Sequence, residues 1–382
     1  MATLHNEFLI KRMRLRNRLV LPPLTTNYAA ADGHVTDKII QFYGRRSRDV
    51  GLVIVEATAV RADGRLVPRS LGLWEKTHIE GMNRLAAIIR RNGAVAVVQL
   101  NHAGARCVPS GGEMQGASPS GIPLNPSVEA FSMTQAHIEE MISDFASAAW
   151  RALEAGFDGI EIHGAHLYLI SQFLSPLTNK RADRYGGDVK GRATFALETV
   201  KAVREKVGAS YPIFFRLNIV ENVEGGQSLE EAITASLLLA DAGVDILDLS
   251  LITEAKWKEI NGRRFLLPAS ALPRGERPGA AIPLMAKVRE ATGLPVIGVG
   301  KLGIGSVAAD AIGASQIDMA AIGRQMIADP DTGRKLLEGK SDEIIPCEEC
   351  MFCFGTIRSG KPLQCKVNKT MQQDGKMVDR FL

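Results

Sequence analysis

Two histidines and a tyrosine follow an apolar run near the middle of the chain. Residues 160–187 read IEIHGAHLYLISQFLSPLTNKRADRYGG, and the apolar start ends at His163, His166 and Tyr168. Imidazole nitrogens hydrogen-bond at neutral pH, and a phenol can give up a proton. Polar side chains at the C-terminal end of a strand are where α/β enzymes place their chemistry. The segment therefore predicts an acid–base site.

Eight short runs rich in Val, Ile and Leu must position these side chains. Such continuous apolar runs are typical of buried parallel strands. Their sequences are RLVLPPL (18–24), GLVIVEATAV (51–60), AVAVVQL (94–100), FDGIEIH (157–163), PIFFRLN (212–218), VDILDLS (244–250), LPVIGVG (294–300) and IDMAAIG (317–323).

Stretches with helical periodicity separate the strands. They cover about 36–48, 77–92, 134–155, 188–207, 228–242, 280–292, 303–313 and 325–339, and several end at a glycine that suits a helix C-terminus. Eight β–α units in series predict an α/β fold, a (β/α)8 TIM barrel over residues 1–340. A doubly wound open sheet is the alternative, but no GxGxxG follows the first strand.

Bulk properties exclude several classes of protein. The chain has 382 residues, 46% of them hydrophobic, with a net charge of +4 and 5% aromatic residues. Scattered basic residues with few aromatics give no nucleic-acid groove, and no run reaches the length of a membrane span. Because the first twenty residues lack a signal-peptide core, we expect a cytoplasmic protein.

Two connections are too long for simple turns. Residues 101–133 are rich in Gly, Ser and Pro, and residues 251–278 contain Trp257, Asn261 and several arginines. Both follow strand C-termini, so in a barrel they would cover the mouth and shape a substrate pocket. The alternative is a disordered insertion.

Polar residues or glycines also lie at or just after the ends of other predicted strands. Thr25 follows the first strand, Gln99 ends the third and Arg216 lies in the fifth. Gly300-Lys301 and Gly323-Arg324 follow the seventh and eighth strands, which is the usual phosphate site of this fold. We therefore expect a phosphorylated cofactor or substrate there. A metal pair at His163 and His166 is disfavoured, because no further ligand stands at a familiar zinc spacing.

Four of the five cysteines crowd into residues 341–382, a short C-terminal extension. Cys347, Cys350, Cys353 and Cys365 form C-x2-C-x2-C-x11-C. Three close thiolates and a distant fourth favour a [4Fe–4S] cluster. Structural zinc would more often use two separated CxxC pairs, and free thiols are the third reading. Cys107, alone in its loop, is interpreted as a bystander.

The chain resembles the Old Yellow Enzyme family of FMN ene-reductases. The resemblance rests on NRLVLPPLTTNYAAADGHVT, GLVIVEATAV, VVQLNHAGAR, the histidine segment and AAIGRQMIADP. It is strongest to the branch of bacterial 2,4-dienoyl-CoA reductase and trimethylamine dehydrogenase, whose cluster motif the tail also resembles, including PLQCKVN.

The resemblance implies FMN, bound without a covalent link at the barrel mouth. Thr25 would lie near the flavin C4 carbonyl, Gln99 at the pyrimidine edge and Arg216 near N1 and C2=O. The ring would also contact Pro22, Pro23, Leu24 and Ala57, and the phosphate would be held by Gly300, Lys301, Gly323 and Arg324.

The resemblance also implies the reaction. His163 and His166 would hydrogen-bond the carbonyl of an α,β-unsaturated substrate, hydride would pass from flavin N5, and Tyr168 would protonate the α-carbon. Tyr28 resembles a pocket-lining tyrosine of the family. NADH or NADPH is the expected reductant; a protein electron donor and a homo-oligomer are left open.

The sequence departs from these relatives in two places. They continue past the cluster into a dinucleotide-binding region, whereas this sequence ends at Leu382. We therefore expect a fragment, a cluster served by a partner, or a structural cluster. SLITEAKW lacks an expected histidine, which puts CoA esters in doubt. The alternatives are an amine or other C–N dehydrogenase, an electron-transfer subunit, and a sugar-phosphate or aldol-type barrel with a zinc tail.

Overall fold

Eight parallel strands close into a barrel. The computed structural model describes residues 2–108 and 115–372. The barrel strands are β1 (Leu19–Leu21), β2 (Leu52–Ala59), β3 (Val95–Asn101), β4 (Gly159–Gly164), β5 (Ile213–Glu221), β6 (Ile246–Ile252), β7 (Val296–Val299) and β8 (Met319–Ala321). Each pairs with its neighbour in chain order, and β8 returns to β1. The predicted (β/α)8 barrel is confirmed, and the open sheet is wrong.

Every predicted interval contains helix, and two further short helices among the described residues, Leu169–Leu174 and Phe352–Arg358, were not predicted. The described part of the chain contains α1 (Asp37–Arg46), α2 (His78–Arg91), α3 (Gln135–Glu154), α4 (Leu169–Leu174), α5 (Val189–Val207), α6 (Leu229–Ala242), α7 (Ile282–Thr292), α8 (Val307–Gly313), α9 (Arg324–Ala328), α10 (Thr332–Leu337) and α11 (Phe352–Arg358).

Local sequence explains where the helices begin and end. Thr134 and Ser228 cap α3 and α6 through reciprocal capping boxes, which satisfy backbone N–H groups of the first turn. Gly243 ends α6 with φ +110°, where a side chain would be strained. The helix predicted at 325–339 is instead two helices, α9 and α10. Pro330 lies between them, and it disfavours helical backbone at the preceding residue.

An apolar hairpin closes the amino-terminal end of the barrel. Phe8–Ile10 pairs antiparallel with Met13–Leu15. Buried Ile10, Met13 and Leu15 pack against inward-facing residues at the strand starts, including Phe214 and Ile246. We call this cluster the floor. It excludes water from below, so access to the barrel interior comes from the carboxyl ends of the strands.

Both long connections contain ordered strands. Glu254–Ile260 and Arg263–Ala269 form an antiparallel hairpin within residues 251–278. Gln115–Ser118 pairs with Glu129–Ser132 in the connection before α3, of which residues 109–114 lie outside the described residues. Disordered insertion is therefore wrong for the described parts. No helix in the described ranges is long and apolar enough to cross a membrane.

Candidate active site

A cavity of about 1000 Å³ opens at the carboxyl ends of the barrel strands. Fourteen of the residues singled out in or just after the barrel strands line it, although they come from seven strands spread over about three hundred residues. They are Pro22, Pro23, Leu24, Thr25, Ala57, Gln99, His163, His166, Tyr168, Arg216, Gly300, Lys301, Gly323 and Arg324.

The histidine segment forms one wall of the cavity. His163 lies in β4, and the chain then turns through left-handed backbone at His166 (φ +63°) and Leu167 (φ +53°). Asn218 Oδ1 accepts the His166 N–H at 3.2 Å, and the Arg106 guanidinium donates to the His166 carbonyl. These bonds stabilise a turn that ordinary residues disfavour, and the turn brings both rings to the same wall.

The two imidazoles are hydrogen-bonded in series. His163 Nε2 lies 2.9 Å from His166 Nδ1, and His166 Nε2 lies 2.7 Å from Ser250 Oγ at the end of β6. Burial, and then the charges of the other ring, Arg216 and Arg106, lower the pKa of His163 well below its usual value. Burial, Arg216 and Arg106 do the same to the pKa of His166. Both rings are therefore neutral at pH 7 and can donate or accept a hydrogen bond.

Tyr168 completes the wall at the start of α4. Its ring meets the His163 ring edge-on at 4.9 Å between centroids, and the side chain is mostly buried. The Arg106 guanidinium lies 4.7 Å from the Tyr168 ring centroid. A guanidinium over an aromatic face is a favourable cation–π contact, so Arg106 helps to fix the orientation of the Tyr168 ring.

Arg216 projects from β5 into the barrel interior and lines the bottom of the cavity. It is 7% exposed, its Nη1 lies 3.5 Å from Asp248 Oδ2, and its Nε has no hydrogen-bond partner within residues 2–108 and 115–372. Gln99 is also buried and donates to Glu161 Oε2 at 2.6 Å. A buried guanidinium N–H without a partner is costly, so this group is poised for an acceptor from outside the described chain.

The ends of β7 and β8 form the opposite wall. Gly300 adopts φ +130°, a conformation that favours glycine. Lys301 was predicted to meet a phosphate, but its Nζ already bonds Pro273 O at 3.0 Å, Glu276 O at 2.8 Å and Glu349 Oε2 at 2.7 Å. An ammonium has three protons, so its side chain is fully used by these bonds. Arg324 bonds Met351 Sδ, a weak acceptor, and retains further N–H groups.

Tyr28 does not line the cavity. Its hydroxyl donates to Leu363 O at 2.5 Å, and Asn27 Nδ2 donates to Gly360 O at 2.8 Å. The loop after β1 thus holds the cysteine-rich tail, whereas Pro22–Thr25 in the same loop face the cavity.

The tail lies against the cavity and brings part of the cysteine set with it. Cys347 and Cys353 line the cavity, Cys365 is buried, and Cys350 is exposed. Burial raises the pKa of the Cys347 and Cys353 thiols. The thiol chemistry suits a cluster. Even so, no three His, Cys, Asp or Glu residues are arranged to hold a metal in the part of the chain that the structure describes.

Several residues of the site escaped the sequence analysis. Ser250 ends VDILDLS and could have been found by the rule that strand ends carry chemistry. Arg106 lies in NHAGAR, inside a connection whose path is not readable from sequence. Glu161 and Asp248 stand two residues before His163 and Ser250, so period-2 alternation places them on the same inward face one layer lower. Glu349 has no sequence signal that links it to Lys301.

Comparison with known proteins adds a family to this geometry. Residues 3–343 match the model of the NADH:flavin oxidoreductase / NADH oxidase family. The chain belongs to this family. The "NADH oxidase" of Thermoanaerobacter brockii is 36% identical over 378 residues, which are 97% of this chain and 56% of that protein. The "NADPH dehydrogenase" of Halalkalibacterium halodurans is 34% identical over 86% of this chain and 91% of its own.

Solved structures agree with this assignment. A 2-naphthoyl-CoA reductase has a TM-score of 0.87 and 26% identity over 96% of this chain and 57% of its own. An Old Yellow Enzyme homologue from Zymomonas mobilis has a TM-score of 0.71 and 23% identity over 88% of this chain and 93% of its own, which shows the same fold. The resemblance to the Old Yellow Enzyme family is thereby confirmed. The chain spans about half the length of the NADH oxidase.

The cavity suits FMN, the flavin indicated by the family match. The unpartnered Arg216 Nε offers a hydrogen bond and a positive charge to an electron-rich ring edge. On the opposite wall, Gly300, Gly323 and Arg324 leave the surface clear for a phosphate next to a cation. An apolar surface of Pro22, Leu24 and Ala57 joins the two walls, as a planar ring system requires.

Proposed function

We propose that this protein reduces the C=C bond of α,β-unsaturated carbonyl compounds. The observation that carries the proposal is the wall formed by His163, His166 and Tyr168, which joins two neutral imidazoles to a phenol. Neutral N–H donors stabilise the enolate oxygen that develops during reduction, and a phenol supplies the proton. The similarity to a protein named 2-naphthoyl-CoA reductase supports reduction of a conjugated acyl compound.

The hydrogen-bond series gives each histidine a task. In the described chain one ring donates to the other. A substrate carbonyl oxygen would replace that bond by accepting from His163 Nε2–H and His166 Nδ1–H, which requires one of the two rings to move its proton to its other nitrogen. His166 Nε2 must then be unprotonated, because a neutral imidazole carries one proton. The Ser250 hydroxyl, 2.7 Å away, would donate to Nε2 and so select this tautomer.

Tyr168 would then protonate the carbon next to the carbonyl. Its ring adjoins that of His163, which would hold the oxygen, and this contact supports a role for the phenol next to the reacting atoms. Arg106, above the ring, stabilises the negative charge that remains on the phenolate oxygen until the phenol is reprotonated.

FMN would be held between the two walls. Pro22, Pro23, Leu24, Thr25 and Ala57 would face the ring, and Gln99 and Arg216 its pyrimidine edge. The phosphate would be held by Arg324 with the backbone of Gly300, Lys301 and Gly323. When bound, FMN takes hydride from NADH or NADPH and passes it to the substrate.

We also propose that Cys347, Cys350, Cys353 and Cys365 ligate a [4Fe–4S] cluster. The tail would then be a separate segment, residues 341–382, attached to a flavin barrel of residues 1–340; residues 373–382 lie outside the described residues. The support is the ligand spacing and the position of Cys347 and Cys353 beside the cavity. Iron and sulfide analysis of anaerobically purified protein tests this: near four iron atoms per chain is the expected result, and zinc or no metal contradicts it.

One measurement tests the reductase proposal directly. Protein loaded with FMN is reduced anaerobically with NADH or NADPH and mixed with cyclohexenone in a stopped-flow instrument. Rapid return of the oxidised flavin spectrum, with formation of cyclohexanone, is expected. If cyclohexenone and a panel of enoates leave the flavin reduced, while an amine reduces the oxidised flavin, the protein is a dehydrogenase instead.

A further inference from the structure

Two carboxyl groups inside the barrel lie close enough for each to affect the titration of the other. Glu161 extends from β4 and Asp248 from β6, and both are completely buried. Gln99 Nε2 donates to Glu161 Oε2 at 2.6 Å, and Arg216 Nη1 lies 3.5 Å from Asp248 Oδ2. Neither carboxyl touches the wall of His163, His166 and Tyr168, so the reaction described above leaves the pair without a role.

The surroundings of the pair are dry. Phe214 and Ile246, two residues before Arg216 and Asp248 on their strands, belong to the apolar floor. Above the pair are His163, which is neutral, and Arg216. Among the described residues, Arg216 is the cation whose charge acts on both carboxyls. Two ionised carboxylates beside one guanidinium would leave an uncompensated negative charge in a fully buried site, which is very costly.

Hydrogen bonding leads to the same conclusion. Glu161 Oε1 and both oxygens of Asp248 have no hydrogen-bond partner in the described chain. An ionised carboxylate only accepts, so two of them next to each other cannot satisfy one another. A single proton turns one carboxyl into a donor toward the other and makes the set of two carboxyls and one guanidinium neutral.

The titration behaviour agrees with the geometry. Burial, and then the negative charge of Asp248, raise the pKa of Glu161 well above its usual value. Burial also raises the pKa of Asp248, but Arg216 opposes the rise. Because Arg216 Nη1 lies 3.5 Å from Asp248 Oδ2, we assign the negative charge to Asp248 and the proton to Glu161.

We propose that Glu161 and Asp248 share one proton and act together as a single negative charge that positions Arg216 at the pyrimidine edge of the cofactor. The second half of this statement rests on the proposed function, in which Arg216 faces FMN. One negative charge next to Arg216 holds the guanidinium in place and balances its positive charge. With two charges, the site would have a net negative charge and would oppose negative charge on the cofactor.

Infrared difference spectroscopy tests the shared proton without reference to the reaction. The wild-type holoprotein minus Glu161→Gln, at equal FMN content and about pH 9, should show the C=O stretch of a carboxylic acid that shifts in D2O. Glu56→Gln is the matched control, because Glu56 is also buried and has a pKa of about 7. Its acid band should be lost by about pH 9, whereas the Glu161 band remains.

The flavin midpoint potential tests the charge count. Glu161→Gln should leave the potential where it is in the wild type, since the amide is neutral like the protonated acid. The double variant Glu161→Gln/Asp248→Asn should shift the potential upward, because it removes the single negative charge near Arg216.

Two outcomes would overturn the proposal. One is the absence of an acid band in the wild type at about pH 9, a measurement that needs no variant to fold. The other is an upward shift of the potential in Glu161→Gln alone, as expected if both carboxyls were ionised. Neither depends on turnover of an unsaturated carbonyl, so failure of the reductase assay would leave this test intact.

Discussion

The two ends of the barrel are built from the same strands but differ in what they bury. At the amino-terminal end, Ile10, Met13 and Leu15 of the floor hairpin meet apolar strand residues such as Phe214. A few residues further along, the same strands bury Glu161, Arg216 and Asp248, and then present His163 and Ser250 to the cavity. Burial of apolar side chains at the first end stabilises the fold, and this stabilisation offsets the cost of burying polar groups at the second.

The comparison teaches that the floor is a condition for the chemistry. Both histidines have pKa values lowered first of all by burial, and the carboxyl pair is confined by the apolar cluster below it. If water entered from below, these groups would be solvated and their pKa values would return toward ordinary values. The two ends should therefore respond differently to substitution.

Loss of the Tyr168 hydroxyl should give the largest effect on the reaction. We expect Tyr168→Phe to slow flavin reoxidation by an enone about 10²–10⁴-fold, since this is the usual contribution of a positioned acid. Reduction by NADH or NADPH and the melting temperature should change little. Stopped-flow measurement of both half-reactions checks this. Tyr185→Phe, which removes a hydroxyl bonded to Glu198 far from the cavity, is the control. Equal slowing of both half-reactions in Tyr168→Phe would rule out a proton-donor role.

A cavity in the floor should act on stability instead. Leu15 is fully buried, so Leu15→Ala should lower the free energy of unfolding by about 2–5 kcal/mol. At about pH 8, where even an ordinary histidine is neutral, and at a temperature where the variant is folded, the ratio of its two half-reaction rates should stay close to that of the wild type. Chemical denaturation and stopped-flow kinetics give the two numbers. Leu9→Ala, on the exposed side of the same hairpin, should change neither. A selective loss of enone reduction in Leu15→Ala would show that the two ends are not separable in this way.

Sequence reasoning predicted the barrel because its signals are local and repeated. Each strand is a short apolar run, and glycines such as Gly243 and Gly293 end helices in left-handed backbone. The floor hairpin was missed, since FLIKRMRL gives three-residue strands whose apolar side becomes visible only when it packs on the barrel. The split between α9 and α10 was signalled by Pro330 and was overlooked.

Site residues at the ends of predicted strands could be predicted from the sequence. Contacts between segments that lie far apart in the chain could not. His163, Gln99 and Arg216 line the cavity because the carboxyl ends of parallel strands converge. The pairing of Lys301 with Glu349 joins residues 48 positions apart and was unpredictable. The same holds for Tyr28, whose hydroxyl meets the backbone of the tail at Leu363 rather than the cavity.

The ion pair between Lys301 and Glu349 joins the carboxyl-terminal end of the barrel to the cysteine-rich tail. The two side chains are 5% and 19% exposed, respectively. Because Glu349→Gln weakens a largely buried charge-assisted bond, we expect a loss of about 1–3 kcal/mol from the docking of the tail. The tail should then be cleaved faster by protease, with FMN affinity almost unchanged. Glu348→Gln, at a neighbouring exposed position, is the control. A large loss of FMN in Glu349→Gln would indicate that Lys301 serves the cofactor phosphate after all.

Ser250 should have a smaller effect than Tyr168 at the same wall. Ser250→Ala removes the partner of His166 Nε2, and a neutral hydrogen bond contributes about 0.5–1.5 kcal/mol. Flavin reoxidation by an enone should therefore slow about 2- to 10-fold. Ser250→Thr keeps the hydroxyl and should restore most of the rate. If Ser250→Ala and Ser250→Thr are equally slow, side-chain volume rather than the hydroxyl controls the step.

The smallest expected effect is that of pH. Lowered pKa values keep His163 and His166 neutral as the pH falls through the range where an ordinary histidine, with a pKa near 6.5, gains a proton. The rate of enone-dependent reoxidation should therefore stay flat between about pH 8 and pH 5.5, rather than change through that range. The same lowered pKa values affect stability. As the pH falls below about 6.5, histidines of the unfolded chain gain protons that the buried rings do not, so the free energy of unfolding decreases. The same pH profile can be measured for Leu15→Ala, in which the floor is weakened. An inflection of the reoxidation rate that moves up toward pH 6.5 would show that the floor keeps these rings neutral. A profile as flat as that of the wild type would show that the upper half of the barrel does so alone.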